Sequence, residues 1–170
     1  MTLAIKVSGG AEFLRGLRRT PEWLRDAADD TADAFLDLVQ EGFEQSRNPD
    51  GKRWAPLVLR NGKPLDDSGA LKDSWRVDAQ AVKSKGVITF SLISDADYAV
   101  HHQVGTGLFG PKKRRITPLK GASLYIPGYG HFASTRGAPA RKMIPDRDLP
   151  PKWRRVYERT IENAFEENLT

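Results

Sequence analysis

An apolar stripe in the first third of the chain constrains its fold more than any other feature. Leu24, Ala27, Ala28, Thr31, Ala34, Phe35, Leu38, Val39 and Phe43 recur at steps of three and four residues, the spacing that gathers side chains on one face of an α-helix. Thr20-Pro21-Glu22-Trp23 supplies the start: a capping hydroxyl, then a proline where its missing N–H is harmless. The stripe persists to about Ser46, and Asn48-Pro49-Asp50-Gly51 provides turn chemistry to end it. A helix of this kind needs a second layer to cover its apolar face.

The rest of the chain offers candidates for that layer. Leu3, Ile5 and Val7 alternate with Ala4 and Lys6, the period of a short strand, and a brief helix is expected over 12–18. Trp54-Ala55-Pro56-Leu57 reads as an irregular segment with a large anchor side chain. Asp67-Ser68-Gly69-Ala70-Leu71 offers a cap-like start for one or two helical turns leading to Trp75, with Asp66 and Asp67 placed to cap. Residues 75–83 and 87–94 flank Ser84-Lys85-Gly86, and the second run is rich in β-branched and aromatic residues, so a hairpin is expected. Residues 98–105 read as a turn, 105–122 as an extended loop, 123–127 as a strand and 128–140 as loop. Pro150-Pro151-Lys152-Trp153 starts a last helix, in which Trp153, Val156, Tyr157, Ile161, Ala164 and Phe165 repeat at helical spacing. Trp23, Phe35, Trp153 and Phe165 are the expected core anchors. The expected fold is a single α+β domain over 1–170, a small antiparallel sheet packed by one long and one C-terminal amphipathic helix, with long loops.

Composition narrows the chemistry. The 170 residues include no cysteine, which removes disulfides and thiolate chemistry. The opening MTLAIKVSGGAEF has neither the charged leader nor the apolar run of a signal peptide, and no stretch approaches the ~18 apolar residues of a membrane span, so the chain reads as soluble, with no membrane partner. The formal net charge is +5, from 27 basic and 22 acidic residues. Its densest basic run, Lys112-Lys113-Arg114-Arg115, lies between Gly110-Pro111 and Thr117-Pro118 and is therefore carried on a loop.

Enzymatic motifs fail on inspection. No Gly-x-Ser-x-Gly elbow is present. Gly105-Thr106-Gly107-Leu108-Phe109-Gly110 matches the dinucleotide-binding pattern literally, but Pro-Lys-Lys-Arg-Arg follows it where a helix is required. His101, His102 and His131 are the histidines; adjacent side chains diverge on a strand or a helix, so one of the first two is expected to pack and the other to face solvent or a neighbour. Asp66, Asp67, Asp95 and Asp97 would suit a metal-dependent nuclease, yet they stand where caps and strand-ending turns call for aspartate. No catalytic residue, metal ligand or cofactor site is assigned.

Four segments in order resemble the tail-completion and virion-morphogenesis proteins of Mu-like and related tailed phages. They are the long helix running into Phe43-Glu44-Gln45-Ser46-Arg47-Asn48-Pro49-Asp50-Gly51-Lys52-Arg53-Trp54-Ala55-Pro56-Leu57, then Leu65-Asp66-Asp67-Ser68-Gly69-Ala70-Leu71-Lys72-Asp73-Ser74, then Tyr98-Ala99-Val100-His101-His102-Gln103-Val104-Gly105, and last Met143-Ile144-Pro145-Asp146-Arg147. The third matches the family form Tyr-Ala-x-x-His-Gln-x-Gly. The fourth keeps Arg147 but has Asp146, and Asp148-Leu149-Pro150, where the family form has a small residue and Pro-Phe.

The resemblance implies a non-enzymatic structural protein of the virion neck or tail, made in the cytoplasm of the bacterial host. It implies a cyclic homo-oligomer, a hexamer or a dodecamer, meeting portal or connector and tail-tube proteins, with non-specific contact to DNA in the lumen. Interface or lumen positions would then be Tyr98, His102, Gln103, Lys112, Lys113, Arg114, Arg115 and Arg147. The alternative is a DNA-binding accessory or DNA-processing protein that uses the basic loop.

Overall fold

Helix α1 (Glu22–Gln45) forms where the apolar steps place it, and its buried residues Ala27, Ala28, Thr31, Ala32, Phe35, Val39 and Phe43 make one continuous face. In this computed structural model the described residues are 2–6, 22–59, 61–78, 89–119, 121, 123–126 and 128–167. The expected helix over 12–18, the cap at Thr20 and the hairpin turn Ser84-Lys85-Gly86 lie outside them.

The end of α1 is a reversal. Ser46 takes a left-handed conformation (φ 53°), and Arg47 N–H donates to the Gly42 carbonyl at 2.9 Å, which satisfies a carbonyl the last turn leaves open. Asn48 then closes the turn: its N–H donates to Lys52 O and its Oδ1 accepts from Lys52 N–H, both at 2.8 Å. The chain returns so that Trp54 lies edge-on to Phe43, with ring centroids 5.4 Å apart.

The layer beneath α1 is a three-stranded antiparallel sheet in the order β1-β3-β2, from β1 (Thr2–Lys6), β2 (Trp75–Asp78) and β3 (Thr89–Ser94). The expected pairing of the second and third strands holds, with Trp75 opposite Ser94 and Val77 opposite Leu92. Alternate residues of the central strand, Phe90, Leu92 and Ser94, are buried, as the two-residue period of a strand requires. Short helix α2 (Ala70–Asp73) leads into β2. Its N-cap position is held by Gly69 in left-handed backbone (φ 78°) without a side-chain cap. The position expected for Asp66 or Asp67 therefore falls to glycine, because the chain enters the helix through a conformation that glycine adopts freely.

Helix α4 (Pro151–Glu167) packs along α1. Trp153 meets Phe35 edge-on at 4.9 Å, and Phe35 meets Phe90 of the sheet at 5.7 Å, so one phenylalanine joins all three surfaces. Lys152 bonds Glu41 across the helix pair at 2.6 Å, and that lysine holds the Glu41 carboxyl below its ordinary range. Of the expected anchors, Phe35 and Trp153 are buried, while Trp23 and Phe165 pair edge-on at 6.0 Å near the rim, where Phe165 is 42% exposed.

The middle third holds more structure than its composition suggested. Residues 98–105, expected as a turn, contain helix α3 (Ala99–Val104). A second antiparallel pair joins the expected strand β4 (Leu124–Ile126) to β5 (Gly130–Phe132), inside a stretch expected to be loop. Three-residue strands are too short for a two-residue period to show. No helix among the described residues is long and apolar enough to cross a membrane.

The face of α1 opposite Phe35 is uniformly acidic. Asp26, Asp29, Asp30, Asp33 and Asp37 are all exposed, and no basic residue lies between the first and last. At about 100° per residue they fall in one stripe, an arc about 100° wide. Like charges three and four residues apart each cost a helix roughly 0.2–0.5 kcal/mol, and aspartate is a poor helix former in mid-helix. The stripe is therefore carried against the local preference of the helix.

Replacing Phe35 with alanine opens a cavity where α1, α4 and the sheet meet. The Phe35→Ala protein should lose about 3–5 kcal/mol of stability, read as a lower urea midpoint at unchanged m-value.

Candidate functional site

Helix α3 turns two faces to different environments. Ala99 and Gln103, four residues apart, are buried, whereas Val100, His101 and Val104 are exposed. Tyr98, at its N-cap, is 45% exposed and lies edge-on to the half-buried His102, with ring centroids 5.9 Å apart.

Gln103 is only 2% exposed and its amide is engaged on both sides. Its Nε2 donates to Ile144 O at 2.7 Å and to Asp146 Oδ1 at 3.1 Å, while Oε1 accepts the Met143 N–H at 2.8 Å. Two neighbouring contacts fix the same stretch. Arg141, 5% exposed, donates its N–H to His102 O at 2.7 Å, and its guanidinium reaches Ala55 O at 2.9 Å and Pro56 O at 3.0 Å. The Trp54 indole N–H donates to Lys142 O at 2.9 Å. A strap at 141–146, without helix or strand, is thus bound to α3 on one side and to the Trp54 segment on the other. Asp146 accepts from Gln103 and pairs with Lys142.

The glycines that mimic a nucleotide motif serve close backbone contact. A Cβ at Gly107 would stand 2.3 Å from Arg136 O, one at Gly137 would stand 2.3 Å from Thr106 O, and one at Gly110 would stand 2.8 Å from Gly105 O. Across this contact Thr106 N–H donates to Ala138 O at 2.9 Å and Leu108 N–H to Arg136 O at 2.8 Å. Residues 136–138 thus pack directly against Thr106 and Gly107. A second staple follows where Ile116 and Thr135 exchange both backbone hydrogen bonds at 2.9 Å.

Between the staples the chain projects Lys112, Lys113, Arg114 and Arg115, all exposed. The tip is a turn closed by Lys113 N–H to Gly110 O at 3.2 Å, with Lys113 left-handed at φ 49°. Beside it opens a cleft of about 550 Å³. Its walls combine His101, Lys112, Arg114 and Arg115 with Val104, Ile116 and Leu119, and its described lining contains no acidic residue. Ile116 is 37% exposed, Val104 41% and Leu119 97%. No ion pair among the described residues engages the four cations of the tip. The cleft sets cations beside exposed apolar side chains, a lining suited to an anion.

The expected interface residues thus divide. Lys112, Arg114 and Arg115 line the cleft and Lys113 is exposed at the tip beside it, Tyr98 is partly open, and Arg147 is exposed just beyond the strap. Gln103 differs from its expected place: it is sealed inside the chain, because its amide completes the hydrogen bonding of the strap. His102 is half-buried, its Nδ1 is enclosed without a hydrogen-bond partner among the described residues, and His101 is exposed. Asp95 is held by Arg76 through two hydrogen bonds at 3.0 and 3.2 Å, which keeps its carboxyl below the usual range. Among the described residues no group of three or more histidines and carboxylates is placed to hold a metal ion. Sequence reasoning missed Arg141, since a lone arginine in a loop gives no sign of burial. It also missed the aspartate stripe, whose three- and four-residue spacing was a usable signal.

Compared with known proteins, the chain matches no family model, no curated protein and no solved structure.

Removing the Gln103 amide leaves the Met143 N–H and Ile144 carbonyl buried without their partner. Gln103→Leu should cost about 2–3 kcal/mol in urea denaturation, although leucine fills a similar volume. His102 sets a pH dependence: burial, then the positive charges of Arg141 and His101, push its pKa below the ordinary 6.5. Below that value the unfolded chain takes up the proton more readily, so stability falls as pH drops from 6.5 toward the folded pKa and is unaffected by this group above it. Urea midpoints from about pH 7.5 to about pH 5 should therefore decline more steeply in the wild type than in His102→Gln. Parallel curves would exclude this role.

Proposed function

We propose that this chain is a non-enzymatic structural subunit at the head-to-tail joint of a tailed phage, acting in tail completion, as a tail terminator or in the neck by assembling into a ring. The observation that carries the reading is the convergence of the four segments on which the resemblance rests. Phe43 and Trp54 from the first meet edge-on, and Trp54 bonds the backbone at Lys142. Leu71 from the second lies in the same core cluster. Gln103 from the third holds Met143 and Ile144 of the fourth. Segments up to about ninety residues apart in sequence thus form one structural unit, which is what a shared fold with that family requires. Exposed loops projecting from such a unit suit a protein that works by contact with copies of itself and with portal or connector and tail-tube proteins.

A second reading, a DNA-binding accessory protein, is favoured by one observation: four exposed cations beside a cleft without described acidic lining. On that reading affinity for duplex DNA falls with salt, and neutralising the four cations flattens the slope of log K against log salt by about 0.9 for each phosphate they had paired with.

Mass photometry of the purified chain across a wide concentration range should give a discrete closed oligomer, and the protein should co-purify with intact particles. A monomer at every concentration, together with absence from particles, would refute the ring.

A further inference from the structure

We propose that the basic cleft receives the aspartate stripe of α1 from a second copy of this chain. The inference rests on the ring reading above and adds the two faces that meet. Both are charged surfaces that no ion pair among the described residues compensates. Lys112, Arg114 and Arg115 rim the cleft, and no ion pair among the described residues engages them. The stripe carries Asp26, Asp29, Asp30, Asp33 and Asp37 with no basic residue between its ends. None of the five lines the cleft of its own chain, so the two faces meet only between molecules.

The chemistry agrees. The stripe covers eleven residue steps, about 17 Å of helix at 1.5 Å per residue. Each aspartate side chain is short, so docking brings the helix close to Val104, Ile116 and Leu119, the exposed apolar side chains that share the cleft lining with the cations. Duplex DNA would neutralise the cations but leave the stripe unanswered, whereas a second copy answers both with one contact.

The symmetry follows. The contact joins two different surfaces, so it is heterologous, and repetition of a heterologous contact closes into a ring when the rotation allows it. Each copy gives its stripe to one neighbour and its cleft to the other.

Charge reversal tests this. Two triple variants are made, Lys112→Glu/Arg114→Glu/Arg115→Glu and Asp29→Lys/Asp30→Lys/Asp33→Lys, along with the sextuple variant carrying both sets. All six positions are exposed, and circular dichroism and urea midpoints check the folds. By sedimentation velocity, each triple alone should associate at least about ten-fold more weakly than wild type. The sextuple variant, and an equimolar mixture of the two triples, should reassemble, because every contact again joins opposite charges. Wild-type assembly should also loosen between about 50 mM and about 500 mM salt, a readout that needs no variant.

A wild type that assembles regardless of salt or of either triple overturns the cleft and stripe while leaving the ring intact. So does failure of both the sextuple variant and the mixture to reassemble. A basic-loop triple that loses DNA binding but assembles normally assigns the cleft to nucleic acid instead. A wild type that never assembles refutes the ring reading itself, and this contact with it.

Discussion

The amide of Gln103 supplies to residues 143–144 what a neighbouring strand would supply, one donor and one acceptor in fixed geometry. The strap at 141–146 belongs to no helix or strand, so each of its buried backbone groups needs an individual partner. The His102 carbonyl, the Gln103 amide and the Trp54 indole provide them for Arg141 N–H, for Met143 N–H and Ile144 O, and for Lys142 O. The strap also leads directly into Pro150-Pro151 and α4, which covers Phe35. Loss of the clamp would therefore free the entry to a core helix, and polar contacts outside α1 govern how well its apolar face is covered. Such a network acts as a unit, since a partly satisfied set of buried polar groups is worse than none.

What could be read from the chain beforehand follows the length of each signal. Helix α1 repeats its apolar step over six turns, and α4 couples a double proline to a long stripe, so both were expected near their observed bounds. The β2–β3 pair was expected because β3 concentrates β-branched and aromatic residues. Strand β5 and helix α3 span only three and six residues, too few for a period to emerge from noise. At the site, the basic loop was legible as charge. The burial of Gln103 was not, because polar residues are ordinarily exposed and only a partner forty residues away explains its position.

Charge is distributed in this molecule by element and not by balance. The acidic stripe lies on a helix whose opposite face is core, and the basic tip lies on a loop beyond the staples, so neither is free to swing toward the other. Both arrangements carry a local cost, repulsion along the helix and a left-handed lysine at the turn. A fold that tolerates both, with no ion pair among the described residues to neutralise either, presents two fields of opposite sign to solvent.

The staples at Leu108–Arg136 and Ile116–Thr135 change what the loop is. Counted along the chain from Gly105 it is long, but the stretch between its fastenings is only residues 109–115. A partner arriving at the tip would find the charges already in position, with little backbone freedom left to surrender on association. The encounter would behave like docking to a rigid post: fast to form because the field is fixed in space, and sensitive to small changes in the glycines that seat the post in its socket.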